Sequence, residues 1–128
     1  MLTKQYRFKF YLNAMHSVKI NNKNSTVHPH TWEIVLYITK INEDVFVQFT
    51  EIEKKIELFL SIYEGQYLND ISPFDLLSPT LENIGDVFAR QVINMLRNNA
   101  WEMRQLEISE NPSRTYIIAT EQLRSLTA

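Results

Sequence analysis

Two stretches near the N-terminus alternate between apolar and polar residues, and this period of two constrains the fold more than any other feature. The first covers residues 6–16 and the second covers residues 28–38. The apolar residues occupy the even positions: Tyr6, Phe8, Phe10, Leu12 and Ala14 in the first stretch, and Trp32, Ile34, Leu36 and Ile38 in the second. Because successive side chains of a strand point to opposite faces, each stretch predicts a half-buried β-strand. The polar connector at residues 17–27 predicts a long hairpin loop.

After the second predicted strand, the spacing of apolar residues changes to that of a helix. Apolar residues recur every three or four positions from Phe49 to Tyr63 and predict a first helix. Ser78 and Pro79 precede Thr80, which has the side chain of an N-cap, and an apolar stripe then predicts a second helix that ends near Asn98.

The C-terminal part of the chain returns to strand patterns. Residues 101–109 and 115–119 predict two more strands, and residues 121–126 predict a short terminal helix. The order ββααββ predicts an α+β fold, with a four-stranded antiparallel sheet and the two helices on one face.

Composition suits one domain over residues 1–128 with a real hydrophobic core, since 45% of the residues are apolar. The 13 basic and 15 acidic side chains give a net charge of -2 and form no basic stripe, which argues against nucleic acid as a partner. The absence of cysteine excludes disulfides, thiolate metal sites and a cysteine nucleophile. No segment has the length and apolarity of a signal peptide core or a membrane span, so we expect no membrane partner and a cytoplasmic protein.

All three histidines fall between residues 16 and 30, and each shares the apolar face of its strand. If the two strands pair antiparallel, His16 at the end of the first lies beside His28 and His30 at the start of the second. Three neutral imidazoles with a fourth position left open are the ligand set of a catalytic zinc ion. The pattern therefore predicts a zinc site, and the alternative is three core histidines that bind no metal.

Glu110 is a second unusual position, because it shares a strand face with Leu106 and Ile108. An unpaired buried charge is costly, so the carboxylate needs either solvent or a partner. One interpretation is an exposed strand end. The other is that Glu110 accepts two parallel N–H bonds from a ligand with a guanidine-like edge.

Six short segments carry these residues in a characteristic order. They are Phe10-Tyr11-Leu12-Asn13-Ala14-Met15-His16, His28-Pro29-His30, Phe46-Val47-Gln48-Phe49, Tyr67-Leu68-Asn69-Asp70, Pro79-Thr80-Leu81-Glu82-Asn83 and Leu106-Glu107-Ile108-Ser109-Glu110. Over nearly its whole length the chain resembles the family of 6-pyruvoyltetrahydropterin synthase and 6-carboxytetrahydropterin synthase, the latter an enzyme of queuosine and deazapurine biosynthesis.

The resemblance implies the tunnelling fold, assembled into homo-oligomers, trimers or hexamers, with active sites between subunits. It also implies zinc on His16, His28 and His30, and a small-molecule pterin anchored by Glu110 with help from Thr80. Thr80 keeps its role as a helix cap, which by itself explains the residue.

The chain departs from the family pattern at the catalytic relay. The usual catalytic cysteine aligns with Asn24, and the usual Asp-His pair aligns with Glu64 and Gly65. Neither asparagine nor glycine titrates, so the proton relay is missing and Glu64 remains as the candidate catalytic group.

Three functions remain open from these residues. The first is a zinc-dependent lyase acting on 7,8-dihydroneopterin triphosphate or a related pterin, with altered or weak activity. The second is a binding or sensing module that keeps the metal and the pterin without converting it. The third is a structural protein whose function is the oligomer itself.

Overall fold

The computed structural model of the chain describes residues 2–42, 44, 46 and 48–120. In chain order the elements are β1 (Tyr6–His16), β2 (Lys19–Ile20), β3 (Lys23–Asn24), β4 (His28–Lys40), α1 (Phe49–Ser61), a short 3-10 helix (Leu68–Asp70), α2 (Leu81–Arg97), β5 (Trp101–Asn111) and β6 (Arg114–Ala119). The predicted terminal helix at 121–126 lies outside the described residues.

The predicted four-stranded antiparallel sheet is confirmed, with the strand order β1-β4-β5-β6. Strands β1 and β4 pair in one unbroken register, from Tyr6 opposite Ile38 to His16 opposite His28. Strand β4 runs to Lys40, two residues beyond its predicted end. Strand β5 also runs on, to Asn111, because a turn of only two residues separates it from β6.

The connector between β1 and β4 contains a small ribbon where a loop was expected. Strands β2 and β3 pair across Asn21 and Asn22, which both adopt positive φ angles, 53° and 65°. Asparagine tolerates this left-handed backbone, and a two-residue turn with two positive φ angles matches the twist of a hairpin. The Asn-Asn pair is therefore the sequence signal for the ribbon.

Both helices cover the sheet face that carries the even-numbered residues of β1 and β4, and α1 packs on β1 while α2 packs on β5 and β6. The core lies between these layers. Its most deeply buried members include Leu12, Trp32, Leu36, Ile56, Ile84, Phe88 and Leu106. Full burial of each such side chain contributes about 1.5–3 kcal/mol to folding. None of the described helices is long and apolar enough to span a membrane.

The segment after α1 runs along the free edge of β1. Helix α1 ends at Ser61, and the chain then reaches Gly65, whose φ angle of +72° suits glycine. The Gly65 N–H donates to the Asn13 carbonyl (2.7 Å), and the Met15 N–H donates to the Gln66 carbonyl (2.9 Å). This pairing covers the end of β1 that carries His16.

Candidate metal centre

The three histidines converge at one end of the sheet, as strand parity predicts. His16 and His28 are direct partners across β1 and β4, and His30 lies two residues further along β4. The ring centroids are 4.4 Å apart for His16 and His28, 5.0 Å for His16 and His30, and 4.8 Å for His28 and His30. One nitrogen from each ring lies within 4.8 Å of the other two, so the three rings can hold one metal ion.

Backbone carbonyl groups orient two of the rings. Nδ1 of His16 lies 2.8 Å from the Pro79 carbonyl oxygen, and Nδ1 of His28 lies 2.8 Å from the Thr26 carbonyl oxygen. A carbonyl oxygen only accepts, so each Nδ1 carries the proton and donates it. The Nε2 lone pairs of both rings therefore remain free for a metal, the arrangement that supporting groups impose on metal-binding histidines.

Burial sets the charge of His16 and His30. His16 is 1% exposed, and its Nε2 atom and that of His30 are buried without a hydrogen-bond partner. Burial lowers the pKa of both side chains below its usual value, against the opposing effects of hydrogen bonds and of Glu110. The rings are thus neutral, and buried nitrogen atoms without partners are costly unless something binds them. A divalent metal ion fits both requirements.

Trp32 forms the floor of the cluster. Its ring lies edge-on to His16 and His30, with centroid distances of 4.9 and 5.3 Å. The fully buried indole donates its N–H to the Ala14 carbonyl oxygen (3.3 Å), which ties the ring to β1. The histidines therefore stand on a rigid apolar surface at the edge of the core.

Glu110 reaches the same cluster from β5. Its Oε2 atom lies 3.6 Å from Nε2 of His16 and 3.7 Å from Nε2 of His30. Its Oε1 atom lies 3.7 Å from Nη2 of Arg114, which is largely exposed. The carboxylate is 16% exposed, so Glu110 is not a free strand end.

Thr80 lies one residue from the carbonyl that orients His16. Its Oγ1 atom accepts a hydrogen bond from the Asn83 N–H (3.1 Å) at the first turn of α2, so the predicted N-cap is present. The Asn83 side chain also donates to the Ser78 carbonyl (2.8 Å). The start of α2 is therefore fixed beside the histidines.

A model of the 6-pyruvoyl tetrahydropterin synthase family matches residues 5–121. The chain belongs to this family. The solved 6-pyruvoyl tetrahydropterin synthase of Caenorhabditis elegans has a TM-score of 0.77 at 13% identity, covering 92% of this chain and 96% of that one. The enzyme of Plasmodium falciparum has a TM-score of 0.67 at 13% identity, covering 94% of this chain and 100% of that one. At these identities the structures show a shared fold, and no curated protein sequence matches.

The relay positions of this 6-pyruvoyl tetrahydropterin synthase family member lie in different surroundings. Asn24 is exposed on β3. A Cβ atom on Gly65 would meet no atom within 4 Å, but the positive φ there disfavours any other residue. Glu64 accepts two hydrogen bonds of 3.0 Å from Asn13, one from its backbone N–H and one from its side-chain amide. The carboxylate of Glu64 is therefore hydrogen-bonded to β1 at the edge of the sheet.

Several groups at the site were not predicted from the sequence. The carbonyls of Thr26 and Pro79 belong to the backbone, and no residue type indicates them. Ser17 is buried beside His16 and exchanges two hydrogen bonds with the Asn69 side chain (3.0 and 2.9 Å), which holds the end of β1. Arg114 also contacts Glu110, and the sequence could have indicated this, because the two residues lie four positions apart across the hairpin of β5 and β6.

Proposed function

We propose that this chain is a zinc-dependent pterin-processing lyase of the 6-pyruvoyl- and 6-carboxytetrahydropterin synthase type. Its substrate in this proposal is 7,8-dihydroneopterin triphosphate or a related pterin, and its zinc ligands are His16, His28 and His30. The convergence of three imidazoles, two of which keep Nε2 free because Nδ1 donates to a carbonyl oxygen, carries the proposal. When bound, zinc polarises substrate oxygen atoms as a Lewis acid.

Glu110 and Thr80 supply the pterin contacts in this proposal. A carboxylate accepts two parallel N–H bonds from the guanidine-like edge of a pterin, which gives both strength and orientation. The position of Glu110 beside the histidines supports this role, because a pterin held by this carboxylate would lie next to the metal site. Thr80 begins α2 at the same place and offers its hydroxyl group.

The chain has few groups that could transfer protons in this reaction. Of the three relay positions, only Glu64 carries a titratable side chain, and Asn13 engages its carboxylate within the subunit. A positioned acid or base contributes about 10²- to 10⁴-fold to rate, so we expect slow turnover or an altered reaction.

We also propose a homo-oligomer, trimeric or hexameric, with sites between subunits, and a cytoplasmic location. Among the described strands, β6 and the part of β1 before Asn13 lie at the edges of the sheet and offer backbone groups for pairing with other subunits. Light scattering on the purified protein tests the assembly, and a monomer at micromolar concentration would contradict it.

The lyase proposal is tested by incubating the zinc-loaded protein with 7,8-dihydroneopterin triphosphate. We expect release of triphosphate or loss of the pterin side chain, slowly, and abolished by His16→Ala. A zinc-loaded, folded protein that leaves the substrate unchanged would contradict the lyase proposal.

A second candidate is a non-catalytic module that binds a metal and a pterin for sensing or storage. The engaged carboxylate of Glu64 and the lack of side chains at Gly65 favour it. Calorimetry would then show pterin binding that Glu110→Ala weakens by about 1.5–3 kcal/mol, with no product formed. Absence of pterin binding in the metal-loaded protein would exclude it.

A further inference from the structure

Glu110 lies beside the two histidine nitrogens that are buried without a hydrogen-bond partner. Its Oε2 atom is nearly equidistant from Nε2 of His16 and Nε2 of His30, at 3.6 and 3.7 Å. Both distances are too long for a hydrogen bond, and both nitrogens are buried without a partner.

The hydrogen bond of His16 determines which ring nitrogen faces Glu110. Nδ1 of His16 donates to the Pro79 carbonyl oxygen (2.8 Å), so Nε2 is the nitrogen left to bind a metal. This Nε2 atom and Oε2 of Glu110, both atom types that bind zinc, face each other.

The spacing is close to that of ligands on one metal ion. Two ligand atoms held about 2.0–2.1 Å from a tetrahedral zinc ion stand about 3.3–3.4 Å apart. The Oε2 distances of 3.6 and 3.7 Å exceed this value by only a few tenths of an ångström. A small side-chain movement would bring the carboxylate to ligand spacing from His16 and His30.

We propose that Glu110 is a fourth ligand of the metal ion when no pterin is bound, so that the resting site is a closed cage of three imidazoles and one carboxylate. This inference rests on the proposed metal site of His16, His28 and His30. The cage spans three strands, since His16 lies on β1, His28 and His30 on β4, and Glu110 on β5. Arg114 holds the other carboxylate oxygen from the solvent side.

A closed cage changes how the site works. Four protein ligands are typical of structural zinc, whereas a catalytic site keeps one position open. In the resting protein the carboxylate fills that position, and it leaves the metal only when a pterin takes it. Glu110 therefore couples the opening of the metal site to the arrival of the ligand that it anchors.

Zinc affinity distinguishes this role from a pterin anchor that does not touch the metal. We compare the wild-type protein with Glu110→Gln, and with Glu107→Gln as a matched control from the opposite face of β5. Competition with a chelator, without any pterin, should show an affinity loss of at least about tenfold for Glu110→Gln, the lower end of losses at perturbed metal sites. Glu107→Gln should bind zinc as the wild type does.

Cobalt substitution tests the same role without a measurement of metal affinity. The visible spectrum of the cobalt-loaded wild type should not respond to azide, because no coordination position is open. Cobalt-loaded Glu110→Ala should bind azide with a new spectrum, and circular dichroism checks that the variant is folded.

Three results would overturn the inference. If the wild type binds zinc, and either Glu110→Gln keeps full affinity or azide binds the wild-type cobalt protein, the carboxylate is not a ligand and the three-histidine site stands. If the folded wild type binds neither zinc nor cobalt, the proposed metal site itself fails.

Discussion

Nε2 of His16 lies 3.6 Å from Oε2 of Glu110, although their strands, β1 and β5, are separated in the sheet by β4. The contact is possible because both side chains rise from the same face at the same end of the sheet. His30, on the intervening strand, lies 3.7 Å from the same oxygen. Side chains from β1, β4 and β5 thus meet at one place. A cation bound there would link His16, His30 and Glu110, which are far apart in the sequence.

Glu64 is expected to stabilise the fold whether or not it transfers protons. Its carboxylate accepts two hydrogen bonds from Asn13, and these tie the segment after α1 to the edge of β1. Replacing it by alanine should lower the free energy of unfolding by about 0.5–1.5 kcal/mol in urea titration. Glu57→Ala, at an exposed position on α1, is the control and should change little. An unchanged stability for Glu64→Ala, with lost activity, would assign Glu64 a purely chemical role.

Thr80 is expected to contribute through its hydroxyl group as the N-cap of α2. Thr80→Ala removes the acceptor for the Asn83 N–H and should cost about 1 kcal/mol of stability. Thr80→Ser keeps the acceptor and should stay close to the wild type. Equal stability of the alanine and serine variants in chemical denaturation would show that the cap contributes nothing.

Gly85 allows β6 to approach α2 closely. A Cβ atom at this position would lie 2.7 Å from Cδ2 of Tyr116 and 3.1 Å from Cγ2 of Ile108. Alanine favours a helix over glycine by about 1 kcal/mol, but overpacking costs about 1–3 kcal/mol, so Gly85→Ala should lower the melting temperature. In a Tyr116→Ala background the loss should shrink. A higher melting temperature for Gly85→Ala alone would contradict the close packing.

Stability should fall as the pH rises above about 10. Burial raises the pKa of Tyr63 above its usual 10.0, and the hydrogen bond that Tyr116 donates to Asp86 (2.9 Å) raises the pKa of Tyr116. The unfolded chain therefore loses these protons at lower pH than the folded chain. Above that pH the unfolded state binds fewer protons, so unfolding becomes easier. Melting curves between pH 9 and 11 test this, and Tyr63→Phe should show a weaker dependence on pH than the wild type.

The period of two in β1, β4 and β5 was enough to predict where the site's side chains lie. It placed His16, His28, His30 and Glu110 on the apolar face, and the structure brings all four together. Helix spacing and the cap at Thr80 likewise predicted α2.

What the sequence did not predict depends on backbone atoms or on contacts across the fold. The carbonyls of Thr26 and Pro79 orient histidines, but every residue has a carbonyl, so no pattern singles these out. The contact between Glu64 and Asn13 joins positions 51 residues apart and requires the chain to fold back along β1. Such contacts follow from topology rather than from local pattern.

Zinc titration of the metal-free protein tests whether His16, His28 and His30 bind a metal ion. We expect calorimetry to find one zinc ion bound per chain, and we expect His16→Ala or His30→Ala to lower the affinity at least about tenfold while the protein stays folded. A folded wild-type protein that takes up no zinc, or one that binds it equally well without these histidines, would show that they do not form a zinc site.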